Sequence, residues 1–207
     1  MTWMQTYTGL VFDLTDPRTE QVCLADIAHS LAYQCRFSGH TRKFYSVAQH
    51  CVIAARHTME TMQDPTLAMH CLLHDSEEAY LGDMIRPLKA FAARDKMEWY
   101  RELEETVKRT IYESLFGVHL SPPTQGQIEY IHRIDLRLLA AEARSVMRWP
   151  PPKDWCLPYP PLASLSTMSL SDPWSPRRSE ADFLECFRGL LCQPGQTAVA
   201  THPMAVE

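Results

Sequence analysis

Residues 69–83 read Met69-His-Cys-Leu-Leu-His-Asp-Ser-Glu-Glu-Ala-Tyr-Leu-Gly-Asp83, and no other stretch limits the fold as much. The segment begins apolar, sets His74 beside Asp75, and follows with Glu77, Glu78 and Asp83. Charged groups that turn inward from such a run must be paired or bound to a metal. On a helix, neighbouring residues point about 100° apart, so His74 and Asp75 cannot both face one core. Imidazole nitrogen and carboxylate oxygen together suit Mn, Fe, Co, Ni or Zn better than Ca.

The flanking sequence is helical in period and in punctuation. Residues 1–15 carry Tyr7, Leu10, Val11 and Phe12 around Gly9, which predicts a short extended piece or a small hairpin. Asp26 precedes Ile27, Leu31 and Gln34 at helical spacing and is the expected N-cap of a first helix. Ser46-Val-Ala-Gln49 has the form of a capping box. It opens a helix that should run close to Thr61, with His50 and His57 on one face. Asp64-Pro65 offers an N-cap and an N1 proline. The helix it starts is expected to carry His70, His74 and Asp75 as far as Gly82. Helical sequence resumes at Pro87-Leu-Lys89, breaks once, and ends at Phe116 before Gly117. Its polar run from Glu98 to Lys108 reads as a solvated face with a Glu104–Lys108 pair. Thr124 to Met147 forms the next helix, with Asp135 and Glu142 on one face. Eight of the fifteen prolines fall between 150 and 176, so 149–178 is expected as an ordered loop or lid. Ser179 is the expected cap of a last helix bearing Phe183, Phe187, Leu190 and Leu191. The fold class is therefore all-α: a bundle of about six or more helices behind a short extended N-terminal piece. One domain spans 1–192, and 193–207 reads as a flexible tail.

With 45% hydrophobic residues, 207 residues can fill one core. A net charge of −5 argues against a general polyanion binder, so no long nucleic acid is expected. Seven cysteines, odd in number and without a Cys-x-x-Cys pair, argue against a disulfide framework or a zinc ribbon. Most sit in apolar runs and read as small buried hydrophobes in a reducing compartment. The N-terminus lacks a basic stretch followed by a long apolar run. No run of about 20 apolar residues occurs. A cytoplasmic protein without membrane contact is the expectation. Seven glycines and no glycine-rich phosphate loop argue against a P-loop or dinucleotide-binding origin.

His70 and His74 form an i,i+4 pair that could hold zinc alone. Cys71 stands where a zincin needs Glu, so a metalloprotease is disfavoured and His70 reads as structural. A Gly-x-Ser-x-Gly elbow is absent, and no cysteine lies in an evident basic setting. What remains is His50, His74, Asp75 and Asp135, with gaps of 24, 1 and 60 residues. These could converge from three helices, which position ligands well; alternatively, His50 is an ordinary core histidine. A metal so held lowers the pKa of its water towards ~7 and polarises a phosphorus centre. Glu78, three residues after Asp75, shares its face and could handle the proton. Glu77, two residues on, is expected at the surface. The segment 36–45 interleaves Arg36, His40, Arg42 and Lys43 with Phe37, Phe44 and Tyr45. It could serve a phosphate and a base, or be a solvated turn with two aromatic anchors.

Arg36-Phe-Ser-Gly-His, Phe44-Tyr-Ser-Val-Ala-Gln-His50, Leu73-His-Asp-Ser-Glu-Glu-Ala-Tyr-Leu-Gly-Asp83, Pro87-Leu-Lys89 and Ile134-Asp135-Leu occur in that order. The ordered series resembles the HD superfamily of metal-dependent phosphohydrolases. Within it, the chain is similar to bacterial and prophage 5′-deoxynucleotidases and to small phage dATP triphosphohydrolases. The resemblance runs between residues 5 and 148, with a weaker echo near 176–190. It implies an all-α fold and a divalent cation (Mn, Co, Mg, Zn, Fe or Ni) held by His50, His74, Asp75 and Asp135. It further implies Glu78 and Asp83 beside the catalytic water. Arg36 and Lys89 would lie near phosphate, with His132 one turn before Asp135. Phe37 and Pro87 would pack on the base; many relatives carry Trp where this chain has Phe37. The implied reaction releases a nucleoside with phosphate, or a nucleoside with triphosphate. The alternatives are hydrolysis of a signalling nucleotide and nucleotide binding without catalysis; the Gly-Tyr-Pro motif of the HD-GYP type is absent. The expected partner is a small-molecule nucleotide, and homo-oligomerisation stays open.

Overall fold

The computed structural model describes residues 1–94, 97–117, 119–148, 150, 151, 153, 155–162, 170 and 172–192. Trp3–Gln5 (β1) and Val11–Asp13 (β2) pair antiparallel, with Met4 opposite Phe12. This is the small hairpin the sequence predicts. The helices are α1 (Leu24–Tyr33), α2 (Val47–Met62), α3 (Pro65–Leu72), α4 (Glu78–Leu81), α5 (Arg86–Arg94), α6 (Glu98–Phe116), α7 (Gln125–Val146) and α8 (Pro176–Leu191). The fold is all-α with a short extended N-terminal piece, as expected.

Several helix starts follow local chemistry. Ser46 Oγ accepts from the Gln49 amide at 3.1 Å, and Asp64 Oδ1 accepts from the Leu67 amide at 2.9 Å. Thr124 and Gln127 form a reciprocal capping box. Other expectations need correction. Asp26 is not an N-cap: α1 already begins at Leu24, and Asp26 binds the hairpin instead, accepting from the Thr8 amide and hydroxyl at 2.7 and 2.8 Å. Gln49 does not complete the capping box, because its Oε1 accepts from the Trp174 amide at 3.0 Å. Ser175, not Ser179, caps α8, accepting from the Arg178 amide with Pro176 at N1. Ser179 is buried, and the Ser46 hydroxyl donates to it at 2.9 Å. The helix expected to run from Pro65 to Gly82 stops at Leu72, and a turn over 73–77 separates it from α4.

Helix α2 lies at the centre. Every residue from Val47 to Ala55 is buried, as an apolar helix covered on all sides requires. α3, α7 and α8 pack around it, and α1 packs on α2, α4 and α8. One cluster of buried side chains runs from Phe12 to Leu190, with Tyr45, Phe12 and Phe183 its largest fully buried members. Each such side chain contributes about 1.5–3 kcal/mol by leaving water. The described part of the proline-rich segment packs against the same body. Leu162, Leu170 and Trp174 are buried, and the Leu162 amide donates to the Arg137 carbonyl. Residues 149, 152, 154, 163–169 and 171 of that segment, and the tail expected over 193–207, lie outside the described residues. No helix among the described residues is long and apolar enough to cross a membrane.

Candidate metal centre

The 73–77 turn decides where the central pair points. On a continuous helix His74 and Asp75 would diverge; on the turn both face one point. His74 Nε2 lies 3.2 Å from Asp75 Oδ2. α2 brings His50 Nε2 to 3.1 Å from His74 Nε2, and α7 brings Asp135 Oδ1 to 3.3 Å from His50 Nε2. Asp75 Oδ2 is 3.8 Å from His50 Nε2. Ligands bonded at about 2.0–2.1 Å to one octahedral or tetrahedral cation stand about 3.0–3.4 Å apart. His50, His74 and Asp135 form one group close enough to hold an ion, and Asp75 stands beside it, nearer to His74 than to His50.

The other ring nitrogens support the same reading. His50 Nδ1 donates to Glu142 Oε1 at 2.6 Å, and His74 Nδ1 donates to the Cys71 carbonyl at 2.7 Å. Metal-ligating histidines are usually fixed this way, through their second nitrogen. Were both rings neutral, their Nε2 lone pairs would face each other at 3.1 Å and repel, so this contact needs a proton on one ring or a cation between them. Cys51 Sγ is 4.0 Å from His74 Nδ1, the nitrogen already engaged by Cys71, and burial pushes its thiol pKa up. With His74 and Asp75 it forms a second group that could hold a metal ion.

Glu142 is the residue that the site-directed reading of the sequence missed. It is fully buried and also accepts from the Tyr45 hydroxyl at 2.9 Å, while Arg36 Nε approaches its Oε2 at 3.2 Å. Burial opposes its charge, but Arg36 and His50 outweigh burial and hold its pKa below the usual glutamate range. The signal was present: Asp135 and Glu142 are seven apart on one helical face, inside an apolar run. Arg36 also lies 3.5 Å from Asp75 and 4.0 Å from Asp135. Burial and Arg36 oppose protonation of His50, yet Glu142 and Asp135 raise its pKa to about 9. Burial also opposes the charges of Asp75 and Asp135, but the neighbouring histidines bring both pKa values below the usual range.

A cavity of about 400 Å³ opens beside the donors. His74, Asp75 and Asp135 form its inner end, and Lys89, Lys108 and His132 stand in its wall. Arg36, Phe37 and Pro87 do not line this cavity. Arg36 faces the donor carboxylates from behind. Phe37 is half-buried, with its ring 6.1 Å from that of Trp155, and Pro87 is exposed near the start of α5. Arg42 is not a phosphate ligand in this arrangement, since it donates to the Ser145 and Val146 carbonyls and closes the end of α7.

The acids after Asp75 behave differently from the expectation. Glu77 is not a surface residue. It is buried, lines the cavity, and pairs with Lys108 at 3.0 Å. The helical phase that put it outside fails because 73–77 is not helix. Glu78 is also buried; one oxygen lies 3.5 Å from Lys89, and Oε2 makes no hydrogen bond among the described residues. Burial first, and then Asp75 and Asp83, push its pKa up to about 10. Burial raises Asp83 as well. Gln34 fixes both ends of α4, donating to the Glu78 carbonyl and accepting from the Asp83 amide, each at 2.9 Å. The expected Glu104–Lys108 pair is replaced by Glu104–Lys89 at 3.0 Å and Lys108–Glu77.

Fold and site define an all-helical protein with buried histidine and aspartate groups that could hold a metal ion. No family model matches the chain. Over 146 residues it is 33% identical to the uncharacterized protein YfdR of Escherichia coli strain K12, covering 70% of this chain and 73% of that one. Over 148 residues it is 30% identical to the uncharacterized protein RCAP_rcc00048 of Rhodobacter capsulatus, covering 68% and 72%. The chain belongs to the family of these two proteins.

Proposed function

We propose that this protein is a metal-dependent phosphohydrolase of the HD type, acting on a nucleotide as a 5′-deoxynucleotidase or a deoxynucleoside triphosphohydrolase. The observation that carries the reading is the meeting of His50, His74, Asp75 and Asp135 at ligand spacing, with both histidines fixed through Nδ1. A divalent cation bound there would supply an activated water and polarise a phosphoryl oxygen. Lys89 and His132 stand in the wall of the adjoining cavity, and we assign them to the phosphate oxygens, which charge-assisted bonds recognise well. Glu78 does not line the cavity; its buried Oε2, without a hydrogen-bond partner among the described residues, is the group we assign to the proton. A volume of about 400 Å³ lies at the small end of ligand pockets, which run about 300–1,000 Å³. It suits one nucleotide better than a dinucleotide signal. The seven cysteines form no disulfide, which supports a reducing, cytoplasmic setting.

The test is a panel of nucleoside mono- and triphosphates with Mn, Co or Mg, the products resolved as phosphate, pyrophosphate or triphosphate. Metal-dependent release from the wild type is expected, with loss of both bound metal and activity in Asp135→Ala. Glu78→Gln should keep its metal and lose at least about tenfold in kcat, as for a missing general acid–base. Full metal occupancy in Asp135→Ala, or no phosphoryl product from any nucleotide, would reject the proposal.

A further inference from the structure

We infer that Lys108 is a positioning residue of the metal centre: from α6 it braces the 73–77 turn that carries two of the four donors. The inference rests on the metal-centre reading above. His74 and Asp75 do not stand on a helix, where the backbone ladder would hold them. They stand on a turn in which the Leu73, Asp75, Ser76 and Glu77 carbonyls accept from amides further along the chain, while the His74 carbonyl takes its donor from Lys108. Lys108 Nζ donates to the His74 carbonyl at 2.5 Å and pairs with Glu77 Oε2 at 3.0 Å. One ammonium thus grips the turn at its second and fifth residues. Glu77 is buried, so its carboxylate fixes the far end of the turn only while that ammonium faces it. The Cys71 carbonyl, which orients the His74 ring, lies at the near end, in the last turn of α3. With Lys108 gone, the His74 carbonyl loses its donor and the ring and the Asp75 carboxylate lose their common support. Partners behind metal ligands typically account for about 10–100-fold in metal affinity.

A merely structural Lys108 would do no more than neutralise Glu77. Three variants separate the roles: Lys108→Met, Lys108→Arg, and the double variant Lys108→Met with Glu77→Gln, which leaves no buried unpaired charge. Mn affinity is measured by calorimetry, the Co(II) visible spectrum reports the donor geometry, and far-ultraviolet circular dichroism reports the fold. The expected result is an Mn affinity about 10–100-fold weaker and an altered Co(II) spectrum in Lys108→Met and in the double variant. Helix content should be intact in the double variant, and Lys108→Arg should recover part of the affinity. If Lys108→Met does not fold, the double variant carries the test. Wild-type Mn affinity and an unchanged Co(II) spectrum in the folded double variant would overturn the inference and leave the metal centre standing. No Mn binding by the wild-type protein would remove the metal centre itself.

Discussion

Glu142 shows how a single buried charge can hold a site together. It accepts from Tyr45 and His50 and faces Arg36, all three within residues 36–50 and far before it in sequence. His50, His74, Asp75 and Asp135 could be read as a group because their residue types are scarce and chemically specific. Glu142 and Lys108 could not be read so readily, because glutamate and lysine on a helix usually face water. Only their partners, distant in sequence, show that they turn inward. Removing one member of such a buried set leaves the others uncompensated, at about 3–5 kcal/mol. Glu142→Ala is therefore expected to destabilise the fold by about that amount and to weaken metal binding, because His50 Nδ1 loses its acceptor. Urea unfolding and metal titration check the two effects separately. Wild-type stability would show that Arg36 and His50 find other partners.

At the scale of elements, the sequence marks helix starts better than it marks interruptions. Asp64-Pro65 caps its helix as read, since the capping group and its amide lie within one turn. The stop at Leu72 has no such local mark: no proline or glycine stands between Leu72 and Glu78. What competes with the helix is tertiary. Lys108 takes the His74 carbonyl, so the backbone there finds a partner outside its own ladder. The misread cap of α8 has a related cause. Ser175 and Ser179 both precede apolar positions at helical spacing, and only packing assigns Ser179 to Ser46. Ser175→Ala should then cost about 1 kcal/mol, the usual cost of a lost N-cap. Ser179→Ala should act through the buried contact with Ser46, and adding Ser46→Ala should cost less than the two single changes summed. Thermal unfolding of the four proteins checks this. Strict additivity of the serine pair would remove the Ser46–Ser179 bond from the account.

For the molecule as a whole, the buried titratable groups link stability to pH in opposite directions. Burial and the local acids raise Glu77 to about 7 and Glu78 to about 10. A raised carboxyl contributes less as pH climbs above its unfolded value, because the unfolded chain then releases a proton that the fold retains. His70 does the reverse. It is buried against Tyr112, sharing a hydrogen bond of 3.0 Å with the phenol. Burial brings its pKa from 6.5 down to about 4, with Asp64 opposing the shift. Between these values the unfolded chain binds a proton that the fold refuses, so His70 lowers stability as pH falls from 6.5 towards 4, and adds nothing further below. One pKa unit corresponds to about 1.36 kcal/mol, so this histidine alone lowers stability by about 2 kcal/mol at pH 5 relative to pH 7.5. The glutamates move the same interval the other way, so the wild-type profile alone does not isolate the effect. The difference between wild type and His70→Gln does. Measured by urea unfolding with chelator present at pH 7.5, 6.0 and 5.0, wild type should lose stability relative to His70→Gln as the pH falls. The gap should widen fastest between 6.0 and 5.0. Parallel profiles would mean that His70 takes up its proton as readily in the fold as in the open chain.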